Sequence, residues 1–271
     1  MKATVLVDNN TKDLLKPEWG LSSLVETNGH KILLDTGTTG IFAENAERMG
    51  IDLESVDFGV LSHAHFDHAD GMEAFFDRNT KARFYLRKNT LENCYSKKGG
   101  TELHYIGIRE GYLERFSDRI CFVDGDVEIA PNVWLIPHKT LNLSKVGEQA
   151  GMYVKIHGRY EPDPFEHEQS LVIDTDKGLV VFNSCSHGGA DNIIREIRET
   201  WPDKEICAYI GGLHLFRSSD QEILDFADRV KETGIDMIYT GHCTGERAME
   251  LLKQELGEIT HEIYTGQVIE F

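Results

Sequence analysis

The eleven residues Leu61-Ser-His-Ala-His-Phe-Asp-His-Ala-Asp-Gly71 hold three histidines and two aspartates directly after the apolar segment Val56–Leu61. In a tight turn His63 and His65 point to one side, and Asp67 and His68 point to a neighbouring position. Imidazole together with carboxylate is the donor set for zinc, iron or manganese, and dense packing at a strand end leaves coordination positions open for water. Two adjacent metal ions are natural there. Three later strand ends each deliver a histidine beside small residues. Asn183-Ser-Cys-Ser-His-Gly-Gly189 carries Cys185 and His187, Tyr209-Ile-Gly-Gly-Leu-His214 carries His214, and Tyr239-Thr-Gly-His-Cys243 carries His242. The neighbouring glycines are expected to let a ligand approach.

Positioning these residues is the task of a chain of 271 residues, long enough for one large α/β domain over 1–271. The net charge of −18 is spread without a basic stripe, which excludes a nucleic-acid surface and leaves room for a small phosphorylated ligand. No apolar stretch approaches the roughly 20 residues of a membrane span, and Met1 leads straight into the β-like run Ala3–Val7, so a cytoplasmic location is expected. Five cysteines, Cys94, Cys121, Cys185, Cys207 and Cys243, are scattered without a C-x-x-C pair and read as reduced thiols. Cys185 and Cys243 stand apart because each lies within two positions of a histidine.

Period-two runs predict strands at Thr4–Val7, Ser22–Thr27 and Lys31–Asp35, with Asn28-Gly29 as the hairpin turn between the last two. A helix over Ile41–Met49 closes at Gly50, and Val56–Leu61 is the next strand. The section Asn89–Arg119 breaks this rhythm with Lys97-Lys98-Gly99-Gly100 and the aromatics Tyr95, Tyr105, Tyr112 and Phe116; it reads as an insertion or lid at 89–119. Strands return at Val133–Ile136, Met152–Ile156, Ser170–Thr175, Leu179–Asn183, Ile206–Ile210, Met237–Tyr239 and Glu262–Ile269. Helices are predicted at Asn192–Thr200, Asp220–Thr233 and Glu246–Leu256. Periodicity alone supports a mixed α/β fold.

The spacing His63-x-His65-x-Asp67-His68, after that strand and with Leu33-Leu-Asp-Thr-Gly37 upstream, resembles the metallo-β-lactamase superfamily over nearly all of the chain. The resemblance implies a four-layer αββα sandwich with a small inserted segment, a dinuclear metal site at one edge and a metal-bound hydroxide nucleophile. It makes Asp35 a residue that orients the metal-ligand loop, and His242 the last ligand histidine. Common members carry a Gly-His-Thr-Pro-Gly segment for the third histidine of the first metal and an aspartate that bridges both metals. Here Ile136-Pro-His-Lys-Thr140 is a faint echo of the first, and Ser184 or Cys185 stands in the place of the second. The combination of His167-Glu-Gln-Ser-Leu-Val-Ile-Asp-Thr175 with the three later histidine segments is similar to the dihydropteroate-synthase-related subgroup. Its members include an enzyme joining a pterin methyl diphosphate to a ribofuranosyl-aminobenzene phosphate. That similarity implies His63, His65 and His187 for one metal, and Asp67, His68 and His242 for the other. Cys185 is either a thiolate ligand, which would select zinc more strongly, or a buried thiol.

Two divalent ions, zinc first and manganese or iron as alternatives, would lower the pKa of bound water from about 15.7 toward about 7 and clamp both oxygens of a phosphoester. The expected activity is hydrolysis of a small phosphorylated substrate such as a phosphodiester or cyclic nucleotide, with Asp67 and His214 as catalytic groups. His214 would bind a phosphate oxygen or protonate a leaving group. Lys97, Lys98, Arg109, Tyr105 and Glu168 are the expected substrate contacts, with Tyr105 and Tyr112 able to stack on a ring. The alternatives are a transferase that displaces a diphosphate from a pterin methyl diphosphate with an arylamine, and a metal-binding ligand sensor without turnover. A homodimer is the expected assembly.

Overall fold

The computed structural model of the chain describes residues 1–97 and 100–271. Lys98, an expected substrate contact, lies outside the described residues. The first part of the chain forms β1 (Lys2–Val7), β2 (Ser22–Thr27), β3 (His30–Leu34), β4 (Phe58–Val60) and β5 (Arg83–Arg87), with helices α1 (Ile41–Arg48), α2 (Phe66–Ala69) and α3 (Met72–Phe76) between them. Then follow β6 (Cys94–Ser96), β7 (His104–Tyr105), α4 (Tyr112–Arg115) and β8 (Ile120–Val123). The second part contributes β9 (Val127–Ala130), β10 (Val133–Pro137), α5 (Leu143–Ala150), β11 (Met152–Ile156), β12 (Arg159–Pro162), β13 (Gln169–Thr175) and β14 (Gly178–Phe182). It ends with α6 (Ala190–Thr200), β15 (Ile206–Ile210), α7 (Asp220–Thr233), β16 (Ile238–Thr240), α8 (Glu246–Leu256), β17 (Thr260–Glu262) and β18 (Val268–Glu270).

Two seven-stranded sheets result, ordered β18-β1-β2-β3-β4-β5-β8 and β17-β16-β15-β14-β13-β10-β9. Alternation of side chains across each strand decides how they stack. Val25, Ile32 and Leu34 of the first sheet meet Ile173, Val180 and Phe182 of the second in one core between the sheets. Leu24 and Leu33 point the other way, onto Phe42 and Ala46 of α1. Val181 and Tyr209 likewise face Ile194 of α6 and Phe226 of α7. Both sheets are thus buried on two faces, giving the four-layer αββα sandwich, and each fully buried large apolar side chain contributes about 1.5–3 kcal/mol. Packing is close enough that a Cβ on Gly59 of β4 would lie 2.1 Å from the Phe84 ring of β5. Among the described residues no helix is long and apolar enough to cross a membrane.

Three stretches add to or depart from the sequence-based expectations. The stretch Glu262–Ile269 is not one strand: β17 pairs with β16 in one sheet and β18 with β1 in the other. Within the 89–119 section, expected as an insertion or lid, β6 and β7 join β11 and β12 in a four-stranded sheet. Helix α5 has no clear sequence signal, since Gly147 interrupts it; a Cβ there would lie 2.2 Å from the Asp163 carbonyl, so the glycine permits that contact at the expense of helix propensity.

Strands β3, β4 and β5 run parallel, as do β14, β15 and β16. Their carboxyl ends, with the end of β1 and the start of β13, lie at one edge of the sandwich, where loops from both sheets converge. Gln169 ties the sheets together there: its backbone N–H donates to the Ser62 carbonyl (2.8 Å) and its side-chain amide to the Leu61 carbonyl (2.8 Å).

Candidate metal centre

The turn after β4 is held from below by Asp35, at the end of β3. One carboxylate oxygen of Asp35 accepts the Ser62 N–H (2.7 Å), and the other accepts the Ser62 hydroxyl (2.7 Å) and lies 2.8 Å from His68 Nδ1. An ionised carboxylate only accepts, so His68 Nδ1 carries the proton and Nε2 presents a lone pair. The Ser62 hydroxyl hydrogen is engaged by Asp35, so its oxygen accepts from His63 Nδ1 at 2.8 Å and leaves His63 Nε2 bare as well. Asp35 adopts φ 58°, a left-handed conformation that aspartate tolerates better than most residues. One residue therefore makes the turn and fixes two imidazole tautomers.

His242, after β16, also sits in the left-handed region at φ 48°. Its Nδ1 lies 3.0 Å from Asn9 Oδ1, beyond β1, which turns Nε2 toward His68 Nε2 (3.1 Å) and Asp67 Oδ2 (3.5 Å). The same Asp67 oxygen accepts the Trp19 indole N–H at 2.8 Å. His187 follows Ser186, whose φ is 54°, and its ring stacks on Phe165 at 4.9 Å. Donor atoms of His63, His65 and His187 lie within 4.8 Å of one another, and so do those of Asp67, His68 and His242. Cys185 stands between the two triplets, its Sγ 3.2 Å from His68 Nε2 and 3.4 Å from Cys243 Sγ.

Nε2 of His63, His65 and His187 is buried with no hydrogen-bond partner among the described residues, and neither is the other ring nitrogen of His187 bonded among them. Unpaired polar atoms in a protein interior are costly, and this group makes sense as lone pairs awaiting a cation. Burial, with the other imidazoles beside them, pushes His63 and His187 well below the usual histidine range and His65 to about 3, so all three are neutral. Burial alone would raise Asp67, but His68 and the hydrogen bond from His242 hold it well below the usual carboxylate range. His242 is opposed by burial and carried to about 9 by Asp67. Three neutral imidazoles beside an ionised carboxylate are a donor set suited to divalent transition metals, and His242 would yield its extra proton to a bound ion, so these residues fit such ions.

A cavity of about 960 Å³ opens beside the two triplets and is lined by His65, Asp67, Cys185, His187 and His214. His214, at φ 52° after β15, has its ring 4.5 Å from that of His187, and burial brings it down to about 4.

Four expected substrate contacts are used otherwise. Lys97 Nζ donates to the Tyr153 hydroxyl (3.1 Å), Arg109 lies beside Asp70 and Glu73, and Tyr105 donates to the Ile108 carbonyl with its ring against Tyr95; none of the three lines the cavity. Glu168 is fully buried, 2.8 Å from His138 Nε2 and accepting the His187 backbone N–H (3.3 Å). It supports the loop that carries His187 and is closed off from a substrate. His138, the faint echo of a ligand, is enclosed by Glu168 and Glu196. The glycines also have another reason: a Cβ on Gly212 would lie 2.5 Å from Cys243 Sγ, and one on Gly188 2.5 Å from His138, so they let the loops close on one another.

The cations that do line the cavity are Arg195, Arg217 and Arg229. Nothing local in the sequence marks them, nor Asn9 or Trp19, whose roles depend on contacts across the fold. His167 had a signal, lying beside Glu168 at the head of β13; its Nδ1 accepts the Ala64 N–H (3.2 Å) and its Nε2 lies 3.1 Å from Asp163.

The family model described as the metallo-beta-lactamase superfamily matches residues 17–242, from the Trp19 loop through His242. The chain belongs to the metallo-β-lactamase superfamily. Members of this superfamily are mostly metal-dependent hydrolases that use divalent ions. A crystal structure of a metal-dependent hydrolase of the beta-lactamase superfamily is 34% identical, with a TM-score of 0.86, covering 100% of this chain and 99% of that one. The 7,8-dihydropterin-6-methyl-4-(beta-D-ribofuranosyl)-aminobenzene-5'-phosphate synthase of Methanocaldococcus jannaschii is 29% identical over 94% of this chain and 92% of its own length. A diphosphatase from the PhnP family shares the fold, with a TM-score of 0.59 at 15% identity, covering 100% of this chain and 97% of that one.

Proposed function

We propose that this superfamily member is a hydrolase of a small phosphorylated substrate, a phosphodiester or cyclic nucleotide, acting with two divalent ions. His63, His65 and His187 would hold one ion and Asp67, His68 and His242 the other, with zinc the first choice and manganese or iron the alternatives. The observation that carries this reading is the pair of donor triplets, each within 4.8 Å, at the wall of a cavity of about 960 Å³. Ions bound there supply Lewis acidity toward a phosphoryl oxygen and a water activated for attack. Asp35 and Ser62 keep His63 and His68 in the tautomers that present Nε2, and Asn9 does the same for His242. Trp19 holds Asp67 through its indole N–H. His214, neutral near pH 7, serves as a hydrogen-bond donor to a substrate oxygen better than as a proton source.

A second reading, transfer, is favoured by the likeness to a synthase over 94% of the chain. In it the same residues hold a diphosphate leaving group while an arylamine displaces it. The test compares metal-reconstituted protein on bis-p-nitrophenyl phosphate and on a pterin methyl diphosphate with and without the arylamine. Diester turnover that His63→Ala abolishes supports hydrolysis. Diphosphate release that requires the arylamine moves the assignment to transfer, and inactivity on both substrate classes overturns both readings.

A further inference from the structure

The cavity carries two unlike sets of side chains. His65, Asp67 and His187 come from the donor triplets, with His214 beside them, and Arg195, Arg217 and Arg229 supply guanidinium groups. Ile106, Val146, Ala150 and Met152 add an apolar lining. In a chain with 18 excess negative charges, most arginines have carboxylates to pair with. Arg217 and Arg229 are under-supplied. Asp191 is buried, and a single oxygen of it accepts both Arg195 Nη1 (2.9 Å) and Arg229 Nε (3.0 Å). Arg195 has a second carboxylate in Glu232 (3.5 Å), whereas bonding through Nε leaves the two terminal nitrogens of Arg229 without a protein acceptor among the described residues. Glu222, which also lines the cavity, is occupied by the Ser219 backbone and hydroxyl (2.7 and 2.8 Å). Arg217 has no carboxylate partner among the described residues; its guanidinium lies over the Phe216 ring at 5.0 Å, and Phe216 in turn packs at 5.3 Å from His214.

A guanidinium fixed along one edge presents the other as a ready fork for a planar anion. We propose that the arginine-lined part of the cavity is a second anion subsite, in which Arg217 and Arg229 bind a carboxylate or phosphate on the substrate other than the reacting phosphoester. The substrate class is therefore a molecule with a reacting phosphoryl group, a flat or apolar part suited to the Met152 and Val146 lining, and a second anionic group. This rests on the reading that the cavity is the substrate's, and it adds a determinant of which phosphoester is taken.

The test uses metal-replete protein and three p-nitrophenyl aryl phosphodiesters whose second ring carries hydrogen, a para-carboxylate or a para-phosphonate. A charge-assisted hydrogen-bonded pair is worth roughly 1.5–3 kcal/mol, so at least one charged diester should show a KM about tenfold or more below that of the uncharged one. Which charged ring gains more distinguishes carboxylate from phosphate. Arg217→Ala and Arg229→Ala should each cut that ratio below about threefold, whereas Arg198→Ala, on the same helix as Arg195 and outside the cavity, should keep it. Equal KM values across the three diesters, or a preference that both cavity variants retain, overturns the subsite. If none of the diesters is hydrolysed, the phosphoester reading fails by itself. The subsite is then decided by calorimetric binding of phenylphosphonate against 4-carboxyphenylphosphonate, where the carboxylate's advantage must again be lost in Arg217→Ala.

Discussion

The Asp35 carboxylate lies 2.8 Å from His68 Nδ1 and, through Ser62 Oγ, reaches His63 Nδ1 as well, so one buried charge orients a histidine of each donor triplet. Partners of this kind are commonly worth 10–100-fold in metal affinity. Asp35→Asn keeps the shape and the tolerance for φ 58° but removes the charge and one acceptor. Zinc affinity, measured by competition with a chromophoric chelator, should fall by roughly 10–100-fold in this variant. Unchanged competition would show that Asp35 only shapes the turn.

Trp19 gives the second metal position its own reporter. Its indole donates to Asp67, and its ring lies 5.2 Å from that of His242, whereas Trp134 and Trp201 pack against each other elsewhere at 5.6 Å. Adding zinc to chelator-treated protein should change the tryptophan emission, and Trp19→Phe should remove most of the change. A full response in Trp19→Phe would separate Asp67 from metal binding.

How much of this could be read in the chain depends on distance. The His63–His68 turn was legible because its donors lie within six residues, and the strands at Ser22–Thr27 and Ile206–Ile210 because their alternating or continuous apolar runs reflect burial directly. The pairing of His187 with His63 and His65, and of His242 with Asp67 and His68, came from resemblance, and the geometry brings those groups together. Substrate contacts were the poorest reading. Lys97 and Arg109 look available in sequence, yet Tyr153, Asp70 and Glu73 lie far along the chain and engage them. Arg195 and Arg229 meet only because α6 packs on α7, an event with no local signature.

His138 makes folding stability depend on pH at a place outside the donor triplets. Burial would lower it, but Glu168 and Glu196 carry it to about 9, above its ordinary value of 6.5. A raised folded-state value means that the contribution is fully present below about 6.5 and is lost as pH rises through about 9. The same contact holds Glu196 down, so the effect counts once. The melting temperature of chelator-treated protein should therefore fall between about pH 6.5 and 9.5. His138→Gln should be destabilised by roughly 3–5 kcal/mol at neutral pH, because two buried carboxylates lose their cation, and should lose this part of the slope. Parallel pH profiles for the two proteins would rule the ion pair out as the cause.

His214 can act on the substrate by hydrogen bonding or by proton transfer, and its environment decides between them. Burial brings it to about 4, so at neutral pH almost none of it carries the extra proton a general acid needs. Its remaining N–H can still donate to a phosphoryl oxygen in the cavity it shares with His187. Glutamine keeps such a donor and alanine does not. With metal-replete protein, His214→Ala should lower kcat/KM by roughly 10²–10³-fold, as loss of one donor to a developing negative charge does, while His214→Gln should lose less than about tenfold. The pH profile of kcat/KM should keep its form in His214→Gln. A proton-transfer role predicts the reverse: equal losses in both variants, and a limb of the profile that disappears with the imidazole.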